Sequence, residues 1–178
     1  TVLSGGLDGI VILWDVETGE IIRRMEEHTS EVLGVAYSPG GMTALSGSGD
    51  NTLILWDLET GELLHRYRGH NGAILGGVAF SPDGKLAVSG ATDTTIILWN
   101  VESGEVLRRF MGHQELINDV AFSPDGRTAL SASSDDTVMM WDVASFSDGS
   151  LDWVRENRYV AELTCDQHET YHIEPLCE

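Results

Sequence analysis

Near one end of the chain, His168-Glu169-Thr170-Tyr171-His172 spells H-E-x-x-H. On a helix that spacing stacks two imidazoles one turn apart beside a carboxylate, the arrangement that holds zinc and activates water for hydrolysis. Cys165, His168 and His172 fall at i, i+3 and i+7 on one helical face, with Cys177 available as a fourth ligand for a structural metal. A hydrolytic site also needs a third ligand, usually well downstream, and a sheltered core, and only six residues follow His172. We therefore expect a solvated tail helix with no catalytic residue, no metal and no other cofactor.

The rest of the composition excludes several partners. Twenty-nine acidic residues against ten basic ones give a net charge of −19, which repels nucleic-acid backbones and anionic lipid at long range. No apolar run approaches the roughly 18 residues of a membrane span, and no secretory signal is present. Both cysteines lie in the last fourteen residues and no Asn-x-Ser/Thr acceptor occurs, so the expected compartment is the cytoplasm. The expected partner is a protein or peptide, not nucleic acid and not a membrane.

Outside the tail, the elements that must position any polar group are set by a repeat. Trp14-Asp15, Trp56-Asp57, Trp99-Asn100 and Trp141-Asp142 recur at spacings of 42, 43 and 42 residues. A period of that length means stacked copies of one supersecondary unit. In the second copy four runs, 31–38, 42–47, 52–57 and 62–68, are separated by Ser38-Pro39-Gly40-Gly41, Ser48-Gly49-Asp50-Asn51 and Glu59-Thr60-Gly61. These separators place Pro and Gly where tight turns fix φ or make it positive, so each unit reads as a four-stranded antiparallel meander. The third run of each copy is apolar at consecutive positions (Ile10 to Leu13, Leu53 to Leu55, Ile96 to Leu98, Val138 to Met140). Both its faces must then be covered, as when small sheets pack face to face around an axis. The fourth run mixes in charge and reads as a wet outer edge. The third copy is one residue longer, and Ile74-Leu75-Gly76-Gly77 predicts a β-bulge at Gly76 or Gly77.

Gly69-His70, Val78-Ala79-Phe80-Ser81-Pro82-Asp83-Gly84, Leu86-Ala87-Val88-Ser89-Gly90, Asp93 and Trp99-Asn100 follow one another in an order that the other copies repeat. In these motifs the chain, over about residues 1 to 143, resembles the WD-repeat β-propellers. The resemblance implies an all-β fold of four consecutive four-stranded blades, the first (1–28) lacking its inner strand and the last (114–143) its outer one. Blades at 29–70 and 71–113 lie between them, and a linker, 144–150, leads to a helical tail, 151–178. It also implies a hydrogen-bonded set in each blade: His28, Ser46, Asp50 and Trp56; His70, Ser89, Asp93 and Trp99; His113, Ser131, Asp135 and Trp141. The first copy keeps Ser4, Asp8 and Trp14 without a His. Ser, His and Asp together suggest a nucleophilic triad, but repetition with a fixed Trp points to buried groups satisfying one another instead.

By the same resemblance, partners would dock on the loops after His and before the repeat Asp: Thr29, Ser30, Glu31, Gly49, Asn71, Thr92, Gln114, Glu115 and Ser134. The expected function is a non-catalytic interaction scaffold or sensor. The ring implied by the resemblance is closed by missing upstream sequence or by a second chain in an eight-bladed homodimer. The segment Leu163 to Tyr171 is similar to tails of bacterial multidomain signalling proteins, which makes a regulatory arm of a larger NTPase or kinase the alternative.

Overall fold

The computed structural model describes residues 1–143; the expected linker, the tail helix, the H-E-x-x-H motif and both cysteines lie outside the described residues. Fourteen strands form four antiparallel sheets, with no helix among the described residues. The first sheet holds β1 (Val2–Gly5), β2 (Val11–Trp14) and β3 (Ile21–Met25). The second holds β4 (Val32–Tyr37), β5 (Thr43–Ser48), β6 (Thr52–Asp57) and β7 (Leu63–Arg68). The third holds β8 (Val78–Phe80), β9 (Leu86–Gly90), β10 (Ile96–Asn100) and β11 (Val106–Phe110). The fourth holds β12 (Ile117–Phe122), β13 (Thr128–Ser133) and β14 (Val138–Asp142). Each sheet is a meander in chain order.

Turn chemistry explains the boundaries. Gly41, Gly84 and Gly126 close the first turn of their sheets at φ of 70°, 73° and 69°, and Gly19, Gly61 and Gly104 do the same after each Trp-Asp or Trp-Asn pair at 72°, 80° and 73°. Asp15, Asp57 and Asn100 cap these last turns by accepting backbone N–H bonds from Thr18, Thr60 and Ser103 at 2.9, 2.7 and 2.8 Å. The turn between the second and third strands of the repeat unit uses Gly9 at φ 81° in the first sheet and non-glycine residues at positive φ in the others: Asn51 at 67°, Thr94 at 65° and Asp136 at 63°.

Successive sheets are joined edge to edge near their inner strands. Val32 N donates to Gly6 O at 2.9 Å, Ile74 N to Ser48 O at 3.0 Å and Ile117 N to Ala91 O at 3.1 Å. Beside each of these bonds a glycine, Gly5, Gly47 or Gly90, lies under the incoming Val32, Ile74 or Ile117; any Cβ there would overlap that side chain. The core lies between sheets: Leu45, Leu53, Leu55 and Tyr67 of the second meet Ile74, Ala87, Ile97 and Trp99 of the third. Val11, Leu13 and Met25 of the first meet Ala44, Ile54 and Trp56 of the second.

Two expectations change in detail. The predicted bulge at Gly76 or Gly77 is a larger interruption: β8 starts only at Val78, whose N–H turns back to Gly76 O at 2.9 Å. One-residue register shifts already sit at the same place in the sister strands, between Val32 and Gly34 and between Ile117 and Asp119, so the extra residue enlarges an existing irregularity. Gly34 and Gly77 serve close approach, since a Cβ on Gly34 would meet Gly76 O at 2.5 Å and one on Gly77 would meet the Val120 N at 3.1 Å. Secondly, the third strand is covered on both faces only in the two middle sheets. Leu53 is 1% exposed, whereas its counterpart in the last sheet, Val138, is 69% exposed.

Candidate functional site

In the second, third and fourth sheets the second and third strands pair so that Ala44 faces Trp56, Ala87 faces Trp99 and Ala129 faces Trp141. Two residues along, on the same face, stand Ser46, Ser89 and Ser131, diagonal neighbours of the indoles. The indole Nε1–H donates to the Ser Oγ at 2.7, 2.8 and 2.8 Å in the second, third and fourth sheets. Each Ser Oγ in turn lies 2.7, 2.8 and 2.7 Å from Nε2 of His28, His70 and His113, which come from the connection entering the sheet. The imidazole Nδ1 lies 2.9, 3.1 and 2.8 Å from Asp50, Asp93 and Asp135 in the second turn.

Chemistry fixes the direction of these bonds. An ionised carboxylate only accepts, so Nδ1 carries the proton; Nε2 then accepts from the Ser hydroxyl, whose oxygen accepts from the indole. Every polar atom of the set is used once in the direction it allows. The carboxylate is used further, taking the backbone N–H of Thr29, Asn71 and Gln114 at 3.0, 2.8 and 2.9 Å. These bonds tie the loop after each His to the loop before each repeat Asp.

The electrostatics follow. Burial disfavours charge on Asp50, but hydrogen bonds from Thr52, the Thr29 amide and His28 outweigh it and hold the carboxyl down at about 2. Asp93 is lowered by the same balance, with the Asn71 amide and Thr95 opposing burial, and Asp135 lies well below the ordinary carboxylate range with Thr137, the Gln114 amide and His113 opposing burial. Burial lowers His28 and His70 below 6.5 despite the neighbouring carboxylates. Neutral imidazole beside ionised carboxylate is the state the chain of bonds requires.

The first sheet has a shortened version. Trp14 Nε1 donates to Ser4 Oγ at 2.8 Å, while among the described residues Asp8 accepts only the Ile10 amide, at 3.2 Å. Of the loop residues, Thr29, Asn71, Thr92, Gln114, Glu115 and Ser134 are exposed, and Ser30, Glu31 and Gly49 are half-buried. Ser30 donates to the Glu31 carboxylate, which lies over Gly49.

Sequence reasoning missed two recurrent members. Thr52, Thr95 and Thr137 donate to the other carboxylate oxygen at 2.6, 2.7 and 2.5 Å. Arg66 and Arg109 on the fourth strands turn inward: each places Nη1 against that Thr hydroxyl, at 3.3 and 2.9 Å, and Nη2 on the carbonyl of the residue before His, Glu27 at 2.7 Å and Gly69 at 2.5 Å. The charged fourth strand is thus not simply a wet edge. The available signal was recurrence in register, since Thr stands two residues after Asp in three copies and Arg24, Arg66 and Arg109 occupy one position.

At the opposite ends of the sheets two clefts recur between neighbours. One, of ≈ 320 Å³, is lined by Leu13, Met42 and Leu58 among others, and one of ≈ 480 Å³ by Leu64, His65, Lys85 and Val101 among others. Among the described residues no group of three or more His, Cys, Asp or Glu could hold a metal ion, and no helix is long and apolar enough to cross a membrane.

Meanders of three or four strands in chain order, three of them carrying the same Trp–Ser–His–Asp chain, define a β-propeller segment. The chain belongs to the WD40 family, described as WD domain, G-beta repeat, which matches residues 19–57, 61–100 and 104–142, more than half of the whole. Each matched stretch holds the last strand of one sheet and the first three of the next, so the sequence repeat runs one strand out of phase with the blade. WD40 repeats generally mediate protein–protein interactions and are generally non-catalytic. No curated protein matches the chain.

Proposed function

We propose that the chain is a non-catalytic protein-interaction scaffold or sensor that receives its partner on the loops around Thr29, Asn71, Thr92, Gln114, Glu115 and Ser134. The observation carrying this reading is that the Ser–His–Asp set repeated in the described blades has no free chemistry. Ser46 and Ser89 have no accessible surface, and each hydroxyl is held between an indole and an imidazole. A nucleophile needs an open approach and donors poised for the developing oxyanion. The same bonds instead hold the two loops of each blade together, leaving exposed side chains that differ from copy to copy on a constant frame.

A partner search by cross-linking, with the full chain as bait, tests the reading. Thr92→Arg and Glu115→Arg should each remove the captured partner, while Glu59→Arg, on the opposite turns, should not. Equal capture by all three would sink the assignment of the face. A regulatory arm of a larger bacterial NTPase or kinase is the second reading; it rests on the likeness of Leu163 to Tyr171, which lies outside the described residues.

A further inference from the structure

Five asparagines stand in the chain, Asn51, Asn71, Asn100, Asn118 and Asn157, and only Asn71 precedes a glycine. A carboxamide carbon is open to attack by the main-chain nitrogen of the following residue, and a side chain on that residue shields the nitrogen; glycine has none. Asn71-Gly72 lies in the loop after His70, with Asn71 exposed and Gly72 half-buried. Among the described residues neither the Asn71 carboxamide nor the Gly72 N–H makes a hydrogen bond. The same groups are tied elsewhere. The carboxamide of Asn100 accepts the Ser103 amide at 2.8 Å, and that of Asn118 donates to Ser134 at 3.0 Å. At the three Asp-Gly pairs among the described residues the glycine nitrogen is held in its turn: Gly9 donates to Gly6 O at 3.1 Å, and Gly84 and Gly126 donate to Ser81 O and Ser123 O at 2.9 Å.

We propose that Asn71 is a site of spontaneous deamidation, a covalent modification that gives the loop of the third blade a negative charge and lengthens its main chain. The Gly72 nitrogen, having lost its proton to hydroxide, bonds to Asn71 Cγ. The Cγ–Nδ2 bond breaks, and the departing nitrogen takes a proton from water and leaves as ammonia, closing a succinimide ring. Water then opens the ring in one of two places. Cleavage of the new bond to Cγ gives aspartate on the original main chain. Cleavage of the bond between Gly72 N and the carbonyl carbon of residue 71 gives isoaspartate, whose main chain runs through the side-chain methylene. Nothing is oxidised or reduced, and water is the only co-reactant.

The position makes the change consequential. The Asn71 N–H donates to Asp93 Oδ2 at 2.8 Å, on the carboxylate that stands 3.1 Å from His70 Nδ1. Gly72 is pressed against the turn that carries Asp93: a Cβ there would overlap Thr92 Oγ1 and meet Asp93 N at 2.7 Å. The methylene that isoaspartate adds beside Gly72 finds no slack on that side, so the loop shifts outward and the bond to Asp93 opens. The new carboxylate also lies close to Asp93, and like charges repel. Asn71 belongs to the loop face proposed above for docking, but the reaction is independent of that reading.

The test ages the folded full chain in mildly alkaline and mildly acidic buffer, followed by brief trypsin digestion and mass spectrometry. The fragment 69–85, bounded by Arg68 and Lys85, holds Asn71 as its one asparagine. It should gain the mass of an NH2-to-OH exchange, sooner in the alkaline sample, with isoaspartate located at residue 71 by fragmentation. The rate should lie within about tenfold of that of a synthetic peptide of the same sequence, because a loop with both reacting groups free needs little local opening. An unchanged fragment, a slower native rate, or aspartate without isoaspartate overturns the site. Thermal melts read the consequence. The aged chain should melt lower than the fresh one, whereas Asn71→Ser, which has no carboxamide and keeps the main-chain N–H, should hold its Tm through the same incubation. Equal losses in both, or none in either, overturn the assigned effect on the third blade.

Discussion

Protonating His28 or His70 would put a hydrogen on the nitrogen that accepts from serine and break the chain of bonds at its middle. Both imidazoles have pKa values lowered by burial, so below 6.5 the unfolded chain binds more protons than the folded one, and stability falls as pH falls. Asp50 acts in the same direction further down: its contribution is complete above 3.8 and disappears as pH drops through about 2. Thermal melts by circular dichroism from pH 8 to 3 should thus show Tm decreasing on acidification from about 6.5, and a flat profile between pH 8 and 5 would contradict this account. Ser89→Ala leaves the Trp99 donor and a His70 nitrogen without partners in a dry interior and should cost about 2–3 kcal/mol in urea unfolding. Ser4→Ala, at a half-buried position with one such bond, should cost less than about 1 kcal/mol. The identities of His, Ser, Asp and Trp were legible in the sequence because they recur. The directions of their bonds and the Thr and Arg that complete them were not, because Arg66 reaches a carbonyl 39 residues away.

At the level of strands, the glycines divide by what surrounds them. Gly90 lies under Ile117 with no room for a Cβ, whereas nothing stands within 4 Å of a Cβ at Gly40, where φ is not positive. Gly90→Val should therefore cost about 1–3 kcal/mol or more through overpacking, and Gly40→Ala should stay within about 0.5 kcal/mol, both read by urea denaturation. Similar costs at both sites would mean that the seam is looser than its packing indicates. The last blade carries Ala132 where the first three carry glycine, a difference visible in sequence whose meaning appears only once Val32, Ile74 and Ile117 are seen seated on those glycines. Strand order and turn positions were legible because Pro-Gly-Gly or Pro-Asp-Gly marks the first turn of three copies and Glu-Thr-Gly or Glu-Ser-Gly the last turn of three. The interrupted β8 was only partly so, since an added residue says where a strand is disturbed but not whether it bulges or breaks.

Over the whole propeller segment, burial depends on having a neighbour. Leu53 and Leu55 are covered by the next blade, but their counterparts Val138 and Met140 are 69% and 54% exposed, and Leu130 beside them is 39% exposed. Open apolar faces of this kind drive association. Sedimentation velocity should show concentration-dependent self-association of the chain, shifted toward monomer by Val138→Glu with Met140→Lys; unchanged sedimentation would show that this face is not the contact. The sequence by itself determined the period, the meander and the polar framework, because each depends on local turn chemistry and on residue types that recur from blade to blade. Tertiary structure alone decided which glycines lie beneath a neighbour, which faces are covered and which arginines reach a carboxylate. Those properties arise between blades, from groups far apart in the chain, and no local pattern encodes the distance between them.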